Sequence, residues 1–418
     1  MNGTGIWARG NSPQVELRWS ASASSPARGI FHSFVNVARF FKNLFASLKR
    51  KARREHLRAL FAQVSGCILI AAASLDAAAS ENIRVAIMDN QKTVILEAGA
   101  GLIAANDRTG VAKKKMAFTA AAHADPQVRV SAVDGSMRVN GKSYRGVVEI
   151  RRKASGLFLV VNELDIEEYL RGVIAAEVPP DWEFEALKAQ AVASRTYALY
   201  QKKAAGKRPY HILATVNGQV YDGRRGEHSN TLRAVRETAG MVLLYRGAVI
   251  PAFYHSSCGG HTENASELWG IDAPYLRGVD CDCQTISKYG TWEKRISISR
   301  IEQSLDDHGY AIKDIQDMEI NGITPAGRVR LVAIRHRKGV TDIPAETLRA
   351  AAGYSVLPSS FFELGLEDNE VVFSGRGMGH GVGLCQWGAQ ERAGRGFDYR
   401  SILGWYYPGT TLARMEEL

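Results

Sequence analysis

The sequence predicts an α+β fold in which mixed or antiparallel sheets surround a short helical segment. From Ile83 onward, brief β-branched runs alternate with Gly, Asn and Asp turns, a pattern typical of strands. Helical patterns then occupy the region around residues 165–201, and no internal repeat of fixed period is present. With 418 residues and 45% apolar content, the chain can bury one large core or two moderate ones.

Residues 81–164 form the β-rich part of this prediction. The β-branched runs lie at 83–87, 128–130, 137–142, 147–150 and 157–161. Within the third run, Asn140-Gly141 is the strongest local signal for a two-residue hairpin.

Two helices follow the predicted sheet. Asp165, with Glu168 three residues later, resembles a capping box, and Ile166, Leu170 and Val173 share one face. Pro179 and Pro180 end this helix. We expect a second helix from Asp181 to about Gln201. Its buried stripe consists of Phe184, Leu187, Ala191 and Ala198.

The later part of the chain mixes both kinds of element. Residues 241–260 return to strand character, and 291–365 combine strands with two short helical patterns. A strand that leads into a glycine-rich loop is predicted over 371–388. Together with the strands of residues 81–164, this mixture defines the α+β class.

The positive charge is concentrated at the N-terminus. The net charge is +10, but residues 1–58 hold 11 of the 53 basic and 2 of the 43 acidic residues. The remaining chain therefore carries 42 basic and 41 acidic groups. A nearly neutral body gives little counterion-release driving force, so we expect no nucleic-acid partner.

Residues 1–80 are predicted to be a basic extension that ends in an export signal. The basic run 49–58 precedes an apolar stretch at 59–75 and small residues near Ala79, the three parts of a secretory signal. The open alternatives are lipidation at Cys67, an uncut membrane anchor, an organellar transit sequence and a later start of translation. We therefore expect the protein to be exported to the periplasm or cell envelope, either free or anchored in the membrane through residues 59–75. Only the transit-sequence alternative disagrees with this location.

Glu177 is the leading candidate for an acid/base residue. It lies four residues after Val173 and seven after Leu170, so it continues the apolar face of the first helix. The last turn of a helix also disfavours negative charge. Both effects are expected to raise the pKa of Glu177, as a general acid requires. The alternative is an ordinary helix-end glutamate that faces water.

Cysteine and histidine spacing predicts a structural zinc site. Cys258-x-x-His261 and Cys281-x-Cys283 can close a tetrahedral site, with His255 as a spare ligand. The alternatives are a disulfide from Cys258 to Cys281 or Cys283, with Cys385 as another partner, and a nucleophilic Cys258 beside His255.

Four stretches resemble the stage II sporulation protein D family, which includes the amidase-enhancer LytB proteins. They are Ala176–Ala198, Tyr254–Glu263, Gly375–Ala389 and Ile402–Thr410, and the similarity extends over residues 83–412. The resemblance therefore implies one family-type region over 81–418. We divide it into the β-rich part, 165–290 with the catalytic helices and zinc site, an accessory segment at 291–365, and 366–418 with the glycine motif and C-terminal closure.

The resemblance implies a peptidoglycan lytic transglycosylase in which Glu177 is the catalytic acid/base. Such an enzyme cuts peptide-free glycan strands after N-acetylmuramic acid and leaves anhydro-muramic ends. Two rivals remain, a glycan-binding enhancer or adaptor of a cell-wall amidase and a metal-dependent amidase that uses the Cys/His cluster. The partners implied are glycan strands and an amidase.

The resemblance also suggests further site residues. Arg195 matches an arginine needed for activity and is expected to orient Glu177 or grip a sugar substituent. The residues themselves add further candidates for substrate contact: Gln190 and Tyr197, which share a helix face, the polar residues His380 and Gln386 in and after the glycine segment, and His255. For Gln190 and Tyr197 packing is the alternative, and for His380 a buried structural role.

Glycine occupies every second position from Gly375 to Gly383. No Gly-x-Gly-x-x-Gly register fits this segment, so we expect no organic cofactor there. Alternate glycines leave one face of an extended segment bare, which permits close approach of a polysaccharide or of another backbone.

Overall fold

Residues 82–165 form six consecutive strands of one antiparallel sheet. The computed structural model describes residues 81–107, 109–119, 125–216 and 218–418. The strands are β1 (Asn82–Gln91), β2 (Thr93–Ala104), β3 (Lys113–Thr119), β4 (Gln127–Val139), β5 (Lys142–Arg152) and β6 (Phe158–Asp165). Their order is β3-β2-β4-β5-β6-β1. The predicted hairpin is confirmed, because Val139 pairs with Lys142 and both Asn140 and Gly141 have positive φ.

Two helices follow as α1 (Ile166–Glu177) and α2 (Phe184–Ala204). The Asp165 carboxylate accepts the N–H groups of Glu167 and Glu168 at 2.8 and 3.4 Å, so the predicted cap of α1 is confirmed. The predicted start of the second helix at Asp181 is wrong. The chain first makes a turn in which the N–H of Trp182 donates to the Pro179 carbonyl, and the helix begins at Phe184.

The remaining elements are short. They are β7 (Ile212–Leu213), α3 (Ser229–Glu237), β8 (Met241–Tyr245), β9 (Ala248–Val249), β10 (Tyr254–His255), α4 (Ala265–Trp269), β11 (Trp292–Ser297), α5 (Ile298–Asp307), β12 (Asp317–Ile320), β13 (Leu331–His336), β14 (Gly339–Pro344), α6 (Ala345–Ala352), β15 (Phe362–Glu367), β16 (Glu370–Gly375), β17 (Leu384–Cys385), α7 (Gln386–Gly394), α8 (Tyr399–Tyr406) and β18 (Thr411–Arg414). β7 extends the large sheet in parallel beside β1, and smaller sheets have the orders β11-β16-β15, β12-β13-β14 and β18-β8-β9. The α+β class is confirmed.

Helix α2 lies between two hydrophobic cores. Leu187, Ala191 and Ala198 belong to the core that includes the large sheet and α1. Ala189 and Val192 belong to a second core, which contains the buried cysteines and parts of α7 and α8. Residues 186–199 of α2 are all buried except Lys188, so the helix is covered around most of its circumference, and its buried polar side chains need partners within the protein. A third core lies within residues 296–373.

The predicted export segment lies outside the described residues, including Cys67 and the possible anchor at 59–75. Within the described ranges, no helix has the length and apolar character that a bilayer span requires. The described residues belong to one compact unit.

Candidate active site

Glu177 is the last residue of α1 and lines a cavity of about 650 Å³. Aromatic side chains supply much of the wall, namely Trp182, Tyr197, Phe253, Tyr254, Trp269, Tyr289, Tyr354 and Trp387. The side chain of Glu177 is half-buried, so it remains accessible from the cavity. Aromatic rings with a few polar groups between them are typical of a site for a small organic ligand or a chain of sugar rings.

Opposing influences act on the carboxyl group of Glu177. Burial raises its pKa above the ordinary value of 4.5. The backbone N–H of Val220 donates to Oε1 at 2.9 Å, and this bond opposes the rise, as do interactions with the side chains of Tyr254 and Gln386. The predicted direction of the pKa shift therefore agrees with the structure, and its main cause is burial.

A buried polar network holds Tyr254 beside this carboxyl group. The amide nitrogen of Gln219 donates to the Tyr254 hydroxyl at 3.1 Å and to the Ser194 carbonyl at 3.1 Å. The Gln219 oxygen accepts the Tyr169 hydroxyl at 3.1 Å. Since the Tyr254 oxygen already accepts a hydrogen bond from Gln219, its own proton is available for Glu177. Sequence analysis missed Tyr254 and Gln219, although Tyr254 lies within one of the family-like motifs.

Four of the five residues expected to contact substrate line the cavity, namely Tyr197, His255, His380 and Gln386. The amide nitrogen of Gln386 is buried, and the Gln386 side chain is one of those that favour the Glu177 carboxylate. Gln190 lies elsewhere, because its amide donates to Ser194 Oγ at 3.0 Å and its side chain is buried away from the cavity. For Gln190 the structure favours the packing alternative.

The tautomers of His255 and His380 follow from contacts with Val382. The Val382 N–H donates to Nδ1 of His380 at 3.1 Å, so Nε2 carries the proton that reaches the Tyr254 carbonyl at 3.0 Å. Burial lowers the pKa of His380 to about 3, which keeps the ring neutral. Both ring nitrogens are thus occupied within the protein, an arrangement that favours the structural alternative for His380.

His255 keeps one nitrogen free. Its Nδ1 lies 3.1 Å from the Val382 carbonyl and must donate to it, which leaves Nε2 as an acceptor. Nε2 is buried and has no partner among the described residues. Because His255 lines the cavity, this nitrogen can accept a hydrogen bond from a ligand hydroxyl or amide.

Arg195 does not touch Glu177. The side chain is fully buried and forms a bidentate pair with Glu167, at 2.7 Å for both bonds. It also donates to the carbonyls of Met241 and Val235 at 3.2 and 3.3 Å. The expectation that Arg195 orients Glu177 or grips a sugar disagrees with this geometry. Arg195 instead joins α2 to the start of α1 and to the end of α3 and beginning of β8.

Two of the five alternate glycines of the 375–383 loop face protein backbone at close range, and the nearest atoms to the other three belong to side chains. At Gly383, with φ of +73°, an added Cβ would lie 2.1 Å from the Phe253 carbonyl oxygen. At Gly377 it would lie 2.8 Å from the Ser257 carbonyl oxygen. The sequence offered two partners for the bare face of this loop, a polysaccharide or another backbone. The structure shows close approach of another backbone, and the loop packs against the segment that carries Tyr254 and His255.

Four buried cysteines form a cluster within the second core. The sulfur atoms of Cys258, Cys281, Cys283 and Cys385 all lie within 4.8 Å of one another. Backbone N–H groups of Cys258 and Gly388 each donate to Cys385 Sγ at 3.3 Å. A tetrahedral zinc site with Zn–S bonds of about 2.3 Å has sulfur separations of about 3.8 Å, so the cluster fits such an ion.

The sequence grouped His261 with three of these cysteines, and the structure places Cys385 there instead. His261 is part-exposed, and its Nδ1 points to the Thr262 carbonyl at 2.5 Å. The disulfide alternative disagrees with the structure as well, since all four cysteines are free and Cys258 Sγ lies 3.4 Å from Cys283 Sγ. A complete set of four sulfur ligands leaves no open position, which is typical of a structural metal site.

Comparisons with known proteins show the family of the chain. The family model described as stage II sporulation protein (SpoIID) matches residues 154–245, which include Glu177 and Gln219 but end before Tyr254. Stage II sporulation protein D of Bacillus subtilis is 30% identical over 274 residues, covering 61% of this chain and 76% of that protein. The chain belongs to the stage II sporulation protein D family.

Two further relatives are similar to this chain over more than half of its length. The amidase enhancer of Bacillus subtilis is 32% identical over 290 residues, which cover 58% of this chain but only 40% of the enhancer. An uncharacterized protein of Brachyspira hyodysenteriae is 36% identical over 258 residues, covering 61% of this chain and 68% of that protein. A domain of unknown function (DUF8618) matches residues 272–383, the region that supplies part of the cavity wall.

Proposed function

We propose that this family member is a peptidoglycan lytic transglycosylase in which Glu177 is the only catalytic acid/base. The observation that carries the proposal is a carboxyl group with a raised pKa, half-buried in an aromatic cavity of about 650 Å³. The substrate is a peptide-free glycan strand, cut after N-acetylmuramic acid. The place of action is the cell envelope, which requires export of the chain.

The reaction needs one group that gives a proton and takes it back. Glu177 protonates the glycosidic oxygen as the bond from C1 to that oxygen breaks, and the substrate's own N-acetyl oxygen shields the developing cation. The Glu177 carboxylate then accepts the C6 hydroxyl proton while O6 bonds to C1. The products are an anhydro-muramic end and a new free hydroxyl at the leaving sugar, so no water is consumed.

The surroundings of Glu177 suit both halves of this cycle. Burial favours the protonated acid before bond cleavage. The Val220 N–H and the Tyr254 side chain favour the carboxylate after it. Because these effects oppose each other, neither protonation state of Glu177 is strongly favoured. The carboxyl group can therefore give up its proton and take it back at modest cost.

A second candidate function is a non-catalytic enhancer or adaptor that binds glycan beside a cell-wall amidase. The 32% identity with the amidase enhancer of Bacillus subtilis is the observation that favours it. The third reading, a metal-dependent amidase, finds no support because the four-sulfur cluster has no position for a water ligand.

We further propose that the four-cysteine cluster holds one structural zinc ion. Cys258, Cys281, Cys283 and Cys385 would be its ligands, and the N–H groups directed at Cys385 would support thiolate charge. The ion would fix the segment after β10 against the start of α7, which carries Gln386 into the cavity.

The experiment is digestion of peptide-free glycan strands by the purified chain, with the products analysed by mass spectrometry. We expect anhydro ends from the wild type and a loss of about 10²- to 10⁴-fold in Glu177→Gln. The exposed neighbour Glu183, changed to Gln, is the matched control and should act like the wild type. Intact strands that nevertheless bind to folded wild-type protein would favour the adaptor, and released stem peptides from whole peptidoglycan would indicate an amidase.

A further inference from the structure

The region matched by the domain of unknown function contributes a second carboxylate to the cavity. Glu346 lies in the first turn of α6 and lines the cavity, together with Arg349, Tyr354 and Pro358 from the same stretch. From sequence alone we assigned no chemistry to this part of the chain.

Arg349 holds one oxygen of Glu346 in place. Its Nη1 donates to Glu346 Oε2 at 2.7 Å, while Nε and Nη2 donate to the carbonyls of Leu357 and Pro358 at 3.2 and 2.6 Å. The Arg349 side chain is only 2% exposed. A guanidinium bound at three points is rigid, so the orientation of the Glu346 carboxylate is fixed with it.

The other oxygen of Glu346 has no partner. Oε1 is buried and receives no hydrogen bond within the described part of the chain. A buried carboxylate oxygen that lacks a donor costs free energy, and such groups persist mainly where something else supplies the donor. Because Glu346 lines an aromatic cavity, the missing donor fits a sugar hydroxyl.

We propose that Glu346 is a glycan-binding residue whose Oε1 accepts a hydrogen bond from a sugar hydroxyl, and that Arg349 is its positioning residue. This inference rests on the proposed function, since it takes a glycan strand as the ligand. It gives the region 272–383 a role, because this region supplies part of the wall of the glycan-binding cavity.

The test is binding of peptide-free glycan strands to the full chain carrying Glu177→Gln, which prevents turnover. Calorimetry should give a Kd about tenfold weaker when Glu346→Gln is added, because the sugar hydroxyl then donates to a neutral amide instead of a charged carboxylate. The matched control is Glu367→Gln. Glu367 lies in the same region, pairs with Arg295 at 3.0 Å, and does not line the cavity, so its loss should leave Kd unchanged.

A second variant guards against misfolding. Glu346→Asp keeps the charge beside Arg349 but withdraws the carboxylate by one methylene, and it should weaken binding in the same direction. An unchanged Kd in either variant, with thermal unfolding like that of the parent, would overturn the inference. It would leave the proposed function standing if the wild type still produced anhydro ends, whereas a wild type that neither binds nor cuts the strands would overturn both.

Discussion

The backbone N–H of Val220 donates to Oε1 of Glu177 over 2.9 Å, which joins the end of α1 to the loop before α3. This bond favours the ionised carboxyl group, whereas burial of Glu177 favours the protonated one. Burial is the larger influence, so the pKa lies above 4.5 without the group being locked in one state. The catalytic proposal depends on this balance.

The rate of glycan cleavage should fall as pH rises through the raised pKa of Glu177, because only the protonated form can donate to the glycosidic oxygen. In Tyr254→Phe, the carboxylate loses an interaction that lowers this pKa, so the fall should move to higher pH. The measurement is kcat/KM against pH for both proteins. An identical profile in the variant would show that the Tyr254 hydroxyl does not act on Glu177.

Glu177 should make folding stability depend on pH in a definite direction. Below 4.5 the carboxyl group is protonated in both the folded and the unfolded chain. Between 4.5 and the raised folded value, the folded state binds more protons, so stability falls as pH rises. We therefore subtract the free energy of unfolding of the wild type from that of Glu177→Gln. This difference should increase with pH across the window and then level off. A flat difference in urea titrations would contradict the raised pKa.

Arg195→Met should destabilise the fold without altering the chemistry of Glu177. Removal of the guanidinium leaves Glu167 without its bidentate partner and two backbone carbonyls without a donor, at a cost of about 3–5 kcal/mol. Denaturant unfolding measures that loss. The pH profile of the remaining folded enzyme should match the wild type, and a shifted profile would show that Arg195 acts on the acid/base group after all.

Metal content separates the two possible ligand sets. Cys385→Ser should lose a bound zinc ion and lower the melting temperature, since one of four sulfur ligands is removed. His261→Ala should keep one zinc per chain, because His261 lies outside the cluster. Elemental analysis of the purified proteins decides this point. Zinc retained in Cys385→Ser but lost in His261→Ala would restore the grouping predicted from sequence.

Local features of the fold were predictable because their physical causes lie within a few residues. The Asn140-Gly141 hairpin and the Asp165 cap depend only on nearby backbone geometry. The place of Glu177 at the end of a helix follows from the apolar face of α1 and from the proline after it. The start of α2 was missed by three residues, since a turn at Pro179 takes up the intervening chain.

Contacts between distant parts of the chain were harder to predict. Cys385 joins a cluster whose other members lie more than 100 residues earlier, so local spacing favoured His261 instead. The partner of Arg195 is Glu167, 28 positions away, and a bidentate pair leaves no sequence signal. The free nitrogen of His255 could not be foreseen either, because the tautomer is fixed by the Val382 carbonyl in the distant 375–383 loop.

Infrared difference spectroscopy of wild type minus Glu177→Gln tests the central claim most directly. At pH 4.5, the ordinary glutamate value, more than half of the Glu177 carboxyl groups should be protonated, so the C=O band of the carboxylic acid should dominate the difference spectrum. If the carboxylate band dominates at pH 4.5 instead, the pKa of Glu177 is not raised, and the account of Glu177 as the general acid of a glycan-cleaving enzyme is contradicted.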